Sequence, residues 1–407
     1  MTWVYVLFIV LAVLGIVFFD RQEGFGKYKT IAYRCLYVFL ICMVGFSYAL
    51  GGDKVTYMGY FEYYYDELDQ IWECITYELA HHGFMPLWTL LCLLVKSTTD
   101  SFYVMQFVLA ILVNVPICEI VRKHTSHGFL FLLLYFVSEL FFQFNTEVMR
   151  EGPAIALSLL AVENYLAGRK KSFVALAVLG LGFHLSALIV LLVPLLPHIE
   201  LTRKHIVVLF AIALGGWVLS DLVLQPVLSY FLGHDAGAIG RKVVTYAAIQ
   251  TTFWGFLRSF LSMMVVPVAT LYFLRNQQVG DDERVYRDKM SDLLIALSLV
   301  GCVFAGFTRF FNYVQIFYLI MLAELIYHLL DTKVHLIARA ATVVAAFAFW
   351  IWYEVTYWPQ NDFRFYQFFV PYTCILNEDE EDRNLREDAY GEVCNYDFYE
   401  DRVLDAQ

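Results

Sequence analysis

Long apolar runs separated by short polar joints recur along almost the whole of this chain of 407 residues. A helix that crosses a bilayer needs about 20 consecutive apolar residues. Runs near that length cover 2–19, 31–50, 102–121, 129–145, 153–167, 173–195, 206–223, 253–274, 292–307, 310–330 and 337–358. The pattern predicts an all-α integral membrane protein, a polytopic bundle of about 11 transmembrane helices occupying residues 1–358. Between the second and third runs, the acidic and aromatic stretch from Tyr57 to Glu78 reads as one amphipathic helix. The apolar run from Phe84 to Val95 is too short to cross and fits a re-entrant or interfacial helix.

Composition agrees with the pattern: 60% of the residues are hydrophobic and 18% aromatic, and the mean hydropathy is +0.60. These values exclude an ordinary soluble domain. The first run lacks a basic leader and is followed by Asp20-Arg21-Gln22-Glu23, so it reads as a retained helix and not as a cleaved signal. The eight cysteines show no metal-ligand spacing, and no metal or other cofactor is expected. Cys374 and Cys394 would pair if their segment faced an oxidising space.

Charge orients the runs. Arg21, Lys27, Lys29 and Arg34, then Arg122 with Lys123, then Arg169-Lys170-Lys171, mark cytoplasmic joints, as do the connections Arg275 to Lys289 and Lys333 to Arg339. Residues 51–83 carry seven acids against the single Lys54 and belong outside, so 51–100 forms an external loop. Residues 359–407, with thirteen acids and four arginines, form an acidic external tail that is polar and flexible beyond Leu376. One conflict remains. Arg203 and Lys204 require an inner joint, so either the run 173–195 enters and returns, or the region from Pro226 to Gly240 does.

Under this topology several polar groups reach the outer side. Gly51-Gly52-Asp53 follows the second run, with Asp53 either the cap of the following helix or a site carboxylate. Asn145-Thr146-Glu147-Val148-Met149-Arg150-Glu151-Gly152-Pro153 marks a helix start. There Arg150 either grips an anion such as a diphosphate or makes a structural pair with Glu147 or Glu151. His184 is either an interhelical hydrogen-bonding residue or a proton acceptor lining a cavity. It stands two residues from Ser186, which a helix would turn to another face. Arg241 and Arg309 would complete a cationic pocket if they converge on Arg150. The aromatics Tyr57, Tyr60, Phe61, Trp72 and Trp88 suit either an interfacial belt or the stacking of sugar rings.

At these residues the chain resembles the EpsG family of exopolysaccharide proteins, which is related in role to Wzy-type O-antigen and capsule polymerases. The resemblance rests on Gly51-Gly52-Asp53 with Tyr57, Asn145 to Ala154 around Arg150, Arg169-Lys170-Lys171, Phe183-His184-Leu185-Ser186-Ala187, and Arg309 with Tyr313. It spans about residues 30–375 in the family's order. Two departures stand out: Glu151 replaces the family's Gln, and Lys54 adds a cation beside Asp53. The resemblance implies a membrane glycosyltransferase of the bacterial inner membrane. It would join oligosaccharide repeat units carried on polyprenyl diphosphate at the outer face, with lipid-linked donor and acceptor as partners. A flippase and a chain-length regulator are further candidate partners, and no nucleic acid is expected. Asp53, His184, Glu147 and Glu151 are then candidate acid–base groups. Arg150, Arg309 and Arg241 would hold the diphosphate, and Tyr57, Asn145 and Tyr313 would contact substrate. Two other classes would also use charged groups at this depth: a transporter or flippase of a lipid-linked glycan, and a membrane O-acyltransferase acting on glycans.

Overall fold

The computed structural model describes residues 3–64, 70–138, 140–195, 203–220, 222, 252–274, 281–303, 305–331 and 369–377. Among them every named element is helical, and the one extended contact is an isolated antiparallel bridge between Ser47 and Cys374. In chain order the α-helices are α1 (Trp3–Phe19), α2 (Lys27–Gly45), α3 (Gly52–Tyr64), α4 (Ile71–His81), α5 (Pro86–Thr99) and α6 (Phe102–His124). They continue as α7 (Gly128–Val137), α8 (Leu140–Phe142), α9 (Glu151–Leu166), α10 (Lys170–Phe183), α11 (Arg203–Leu219), α12 (Phe253–Phe273), α13 (Asp281–Val303) and α14 (Gln315–Asp331).

Three of these are long and apolar enough to cross a bilayer alone: α2, α6 and α12. Four shorter apolar helices, Trp3–Phe19, Leu185–Leu195, Lys204–Leu219 and Gln315–Leu329, add to them. The described residues therefore do not reach the expected count of spans, and run 337–358 lies outside them. Several expected spans are short or broken, because polar residues interrupt them. Run 129–145 is two helices, Gly128–Val137 and Leu140–Glu147, bent 79° apart. The second ends in a π turn, Gln143–Glu147. There Asn145 and Thr146 turn their side chains back onto the carbonyls of Phe141 (2.6 Å) and Phe142 (2.7 Å). The Val148 amide reaches Gln143 O at 2.8 Å, so polar side chains compete with the regular ladder at this point.

Run 173–195 is broken as well. α10 stops at Phe183, His184 is extended (φ −152°, ψ 132°), and residues Leu185–Leu195 form a 3-10 helix. A Cβ placed on Gly180 would lie 3.5 Å from that of Ala187. The chain therefore folds back on itself at His184 and packs along α9 and α10. The expected helix from Tyr57 to Glu78 is instead α3 and α4. The expected loop from Arg275 to Lys289 is helical from Asp281, where acids suit the positive end of a helix dipole.

The main core joins α1, α2, α6, α7, α9 and α14. The expected acidic tail contains a packed segment. Tyr5 donates to Phe369 O (2.7 Å), Tyr372 to Met43 O (2.8 Å), and the amides of Tyr48 and Ile375 to Thr373 O (3.0 Å) and Phe46 O (2.9 Å). Residues 369–377 are thus tied to the end of α2 that leads into α3.

Candidate functional site

The turn from α2 to α3 positions the first residues of the site. Gly51 has φ +89°, a conformation open to glycine with little cost. It lets the chain present the first amides of α3 to a carboxylate from the π turn. Gly52 N donates to Glu147 Oε1 (3.0 Å) and Asp53 N to Glu147 Oε2 (3.3 Å). Glu147 therefore caps α3 from 94 residues away, filling the place an N-cap side chain would take. Both of its oxygens are engaged by backbone, a role different from the acid–base one the sequence suggested. Asp53 is not the cap; it lies in the first turn of α3, half-buried, with Glu147 and Tyr57 for neighbours. Lys54 turns back toward the end of α2. Its side chain is buried, and Nζ donates to Ser47 O (3.0 Å) and Oγ (2.8 Å) at the carbonyl end of α2, where the dipole favours a cation.

One turn after Asp53, and so on the same face of α3, stands Tyr57. Arg150, the residue that opens α9, donates from Nε to the Tyr57 hydroxyl at 2.9 Å. Its guanidinium carbon lies 4.2 Å from the centre of the Phe84 ring and 5.5 Å from that of Tyr57. Tyr57 packs in turn on buried Trp88 of α5 (5.3 Å). Aromatic faces thus steady the cation. Among the described residues Arg150 makes no salt bridge, and Nε carries its one hydrogen bond. The structural Arg–Glu pair is not formed, and among the described residues the two terminal nitrogens carry no hydrogen bond.

Glu151 follows, 1% exposed, with no hydrogen-bond partner for either oxygen. Arg309 and Arg150 both act on its charge, and Tyr313 and Asn312 stand beside it. Arg309 belongs to a second 3-10 helix, Ala305–Tyr313, which packs against α9 and against Leu185–Leu195. That packing brings the Tyr313 hydroxyl to 3.4 Å from His184 Nδ1, which also accepts the Ser186 amide at 3.3 Å. With Nδ1 accepting, the neutral ring carries its proton on Nε2. The helix break at His184 removes the regular helical spacing on which the placement of Ser186 rests, and the contact made is through the Ser186 amide, not its hydroxyl.

Asp53, Tyr57, Glu147, Arg150, Glu151, His184, Arg309 and Tyr313 thus gather at one end of the bundle, drawn from four stretches of sequence. One described candidate does not join them. Asn145 is buried (4% exposed) and spends its amide on Phe141 O and on Asn114, whose Nδ2 donates to Asn145 Oδ1 at 2.7 Å. It holds α6 to the π turn and does not line the cluster. Arg241 lies outside the described residues. Phe84, the floor beneath Arg150, and Asn312, beside Glu151, escaped sequence reasoning. One is an aromatic in an apolar run and the other an amide in a polar one, and neither carries a spacing signal.

The EpsG family model matches residues 30–374 of this chain. No curated protein and no solved structure matches it.

Proposed function

The chain belongs to the EpsG family, and from that premise we propose that it is a polysaccharide polymerase of the bacterial inner membrane. It would join oligosaccharide repeat units carried on polyprenyl diphosphate at the outer face. The observation that carries this reading is the caged, unpaired guanidinium of Arg150 beside Arg309. A cation held by aromatic faces, with its planar fork free, suits the oxygens of a diphosphate.

In the proposed reaction a hydroxyl oxygen of the acceptor glycan attacks the anomeric carbon of the donor. The bond from that carbon to the diphosphate breaks, and the diphosphate leaves with the electron pair. Arg150 and Arg309 hold the charge that develops on it. Asp53, the half-buried carboxylate on the Tyr57 face of α3, takes the acceptor's proton. His184 and Tyr313 form the opposite wall and orient sugar hydroxyls. Glu151 lies between the two arginines, where its charge offsets part of theirs until a diphosphate arrives.

Purified protein supplied with a defined polyprenyl-diphosphate oligosaccharide is expected to give a ladder of lengthened products. Asp53→Asn should slow it about 10²–10⁴-fold, the usual contribution of a positioned base. A protein that moved the lipid across vesicles without lengthening it would be a flippase, and the polymerase reading would fall. An Asp53→Asn enzyme of wild-type rate would remove Asp53 from the mechanism.

A further inference from the structure

The end of the bundle opposite the Arg150 cluster holds a second polar site. Glu151 opens α9 at the first cluster. Glu163, twelve residues along the same helix, lies about 18 Å away at 1.5 Å per residue. At that level α6, α12, α13 and α14 enclose a cavity of about 60 Å³, lined among others by His124, Thr270, Arg287 and Glu324. That is room for several waters or for one small oxyanion.

The hydrogen-bonding needs of its wall are unequal. The carboxylates already have donors. Glu163, behind the wall, accepts from Lys123 Nζ and from the ring of the lining residue His124, which is stacked on Tyr286 with centroids 3.6 Å apart. Glu324 accepts from the Thr125 hydroxyl and has His127 at 3.9 Å. Three donors are left over. Thr270, fully buried, has no partner for its hydroxyl, the Tyr286 hydroxyl has none, and Arg287 has none for Nη2. An unmet buried donor is costly, more so when charged, so this wall suits a ligand that accepts.

We infer that this cavity is a binding site for a phosphate group, held by Arg287 and Thr270, on the face of the bundle opposite the Arg150 cluster. Arg287 offers an oxyanion the charge-assisted bond that guanidinium groups make with phosphate. Glu324 then selects among oxyanions. A phosphate monoester with its second ionisation near pH 6 still carries a proton for part of the time at neutrality, which it donates to that carboxylate; a carboxylate ligand has none to give. Phe317 and Met321 supply an apolar wall on the same cavity, against which the first carbons of an alkyl chain would pack. The same phosphate chemistry could come from a lipid headgroup or from a free phosphate.

The test uses the full-length protein in detergent, with dodecyl phosphate and inorganic phosphate as probes, and reads the shift of the thermal midpoint with concentration. Arg287→Gln and Thr270→Val are each expected to weaken binding about tenfold or more, the loss of one charge-assisted or buried hydrogen bond. Thr270→Val is nearly isosteric and removes an unsatisfied hydroxyl, so without probe it should be at least as stable as the wild type. Arg150→Ala, at the other end, should leave this binding in place. A shift with both probes, dependent on Arg287, identifies a free phosphate site; a shift with dodecyl phosphate alone identifies a lipid headgroup site. The inference is overturned if neither probe binds, if Thr270→Val binds as the wild type does, or if only Arg150→Ala abolishes binding.

Discussion

Arg150 is fixed through Nε to Tyr57 and through its plane to Phe84, so its terminal nitrogens are already aimed before substrate arrives. A lysine keeps the charge but has neither the plane nor the fork. Arg150→Lys is therefore expected to lower the rate of lengthening about 10²–10³-fold, with a smaller change in binding of the lipid-linked donor. Equal rates for the two proteins in the ladder assay would refute that assignment. Asp20 supports a prediction of a different kind. It is buried in the turn after α1 and accepts the amides of Phe129 (3.2 Å) and Leu130 (2.8 Å). Burial pushes its carboxyl up from 3.8 to about 6, against the downward pull of those amides and of Lys29. The folded protein therefore keeps a proton that the unfolded chain loses first, so the contribution of Asp20 to stability is fully present below pH about 4 and is lost as pH rises through about 6. The span is worth up to about 3 kcal/mol. Asn caps a helix as well as Asp does but cannot ionise, so Asp20→Asn should flatten this slope in thermal unfolding measured from pH about 4 to about 8. A variant with the wild-type slope would show that Asp20 is not its source. Residue types alone pointed to Arg150, Arg309 and His184, because charge and imidazole among apolar runs are conspicuous. They could not assign Glu147 its capping role, since the amides it serves belong to a helix far away in sequence.

At the scale of elements, the junction between α2 and α3 carries the site. Gly51 holds φ +89°, and a Cβ there would stand 2.6 Å from Glu147 Oε1 and 2.8 Å from Thr146. Gly51→Ala thus meets a conformational cost and a clash with the carboxylate that caps α3. It is expected to destabilise the protein by about 1–3 kcal/mol and to displace Asp53 and Tyr57, so that lengthening falls further than stability alone would require. Thermal midpoint and ladder assay on the same sample separate the two effects; unchanged values in both would show that the junction adapts freely. The glycine pair and the polar helix start at Arg150 were visible in sequence because backbone geometry demands those residue types. The break at His184 was less visible. Apolar character continues from Phe173 to Leu195 without change, and hydropathy cannot distinguish a span from a helix that turns back. The cause lies in packing. Gly182, whose Cβ position lies 2.6 Å from the Leu87 side chain, lets α5 press against the end of α10, and His184 turns the chain into the wall of the site.

For the whole molecule, the segment 369–377 closes a circuit between the end of the chain and its beginning. Tyr372 and Phe369 reach α2 and α1, while the backbone of Thr373 and Ile375 pairs with the residues just before Gly51. These contacts brace the loop that orients Asp53. Composition placed this segment at the head of an acidic tail, because the tail's many carboxylates outweigh the few apolar residues Phe369, Val370, Tyr372 and Ile375 that do the packing. The family match, which ends at 374, falls within the same packed stretch. A chain ending after Asn377 keeps every one of these contacts and is expected to lengthen glycans at the wild-type rate. A chain ending before Phe369 loses at least five long-range hydrogen bonds and the aromatic packing of Phe369 on Phe142 (4.6 Å). Burial of that kind contributes a few kcal/mol, on the order of a large core truncation. The shorter chain should therefore show a lower thermal midpoint and little lengthening, and adding the missing residues as a separate peptide should recover part of both. If instead the chain cut before Phe369 works as well as the one cut after Asn377, the brace has no bearing on the site, and Glu147 alone must hold α3 in register with Arg150.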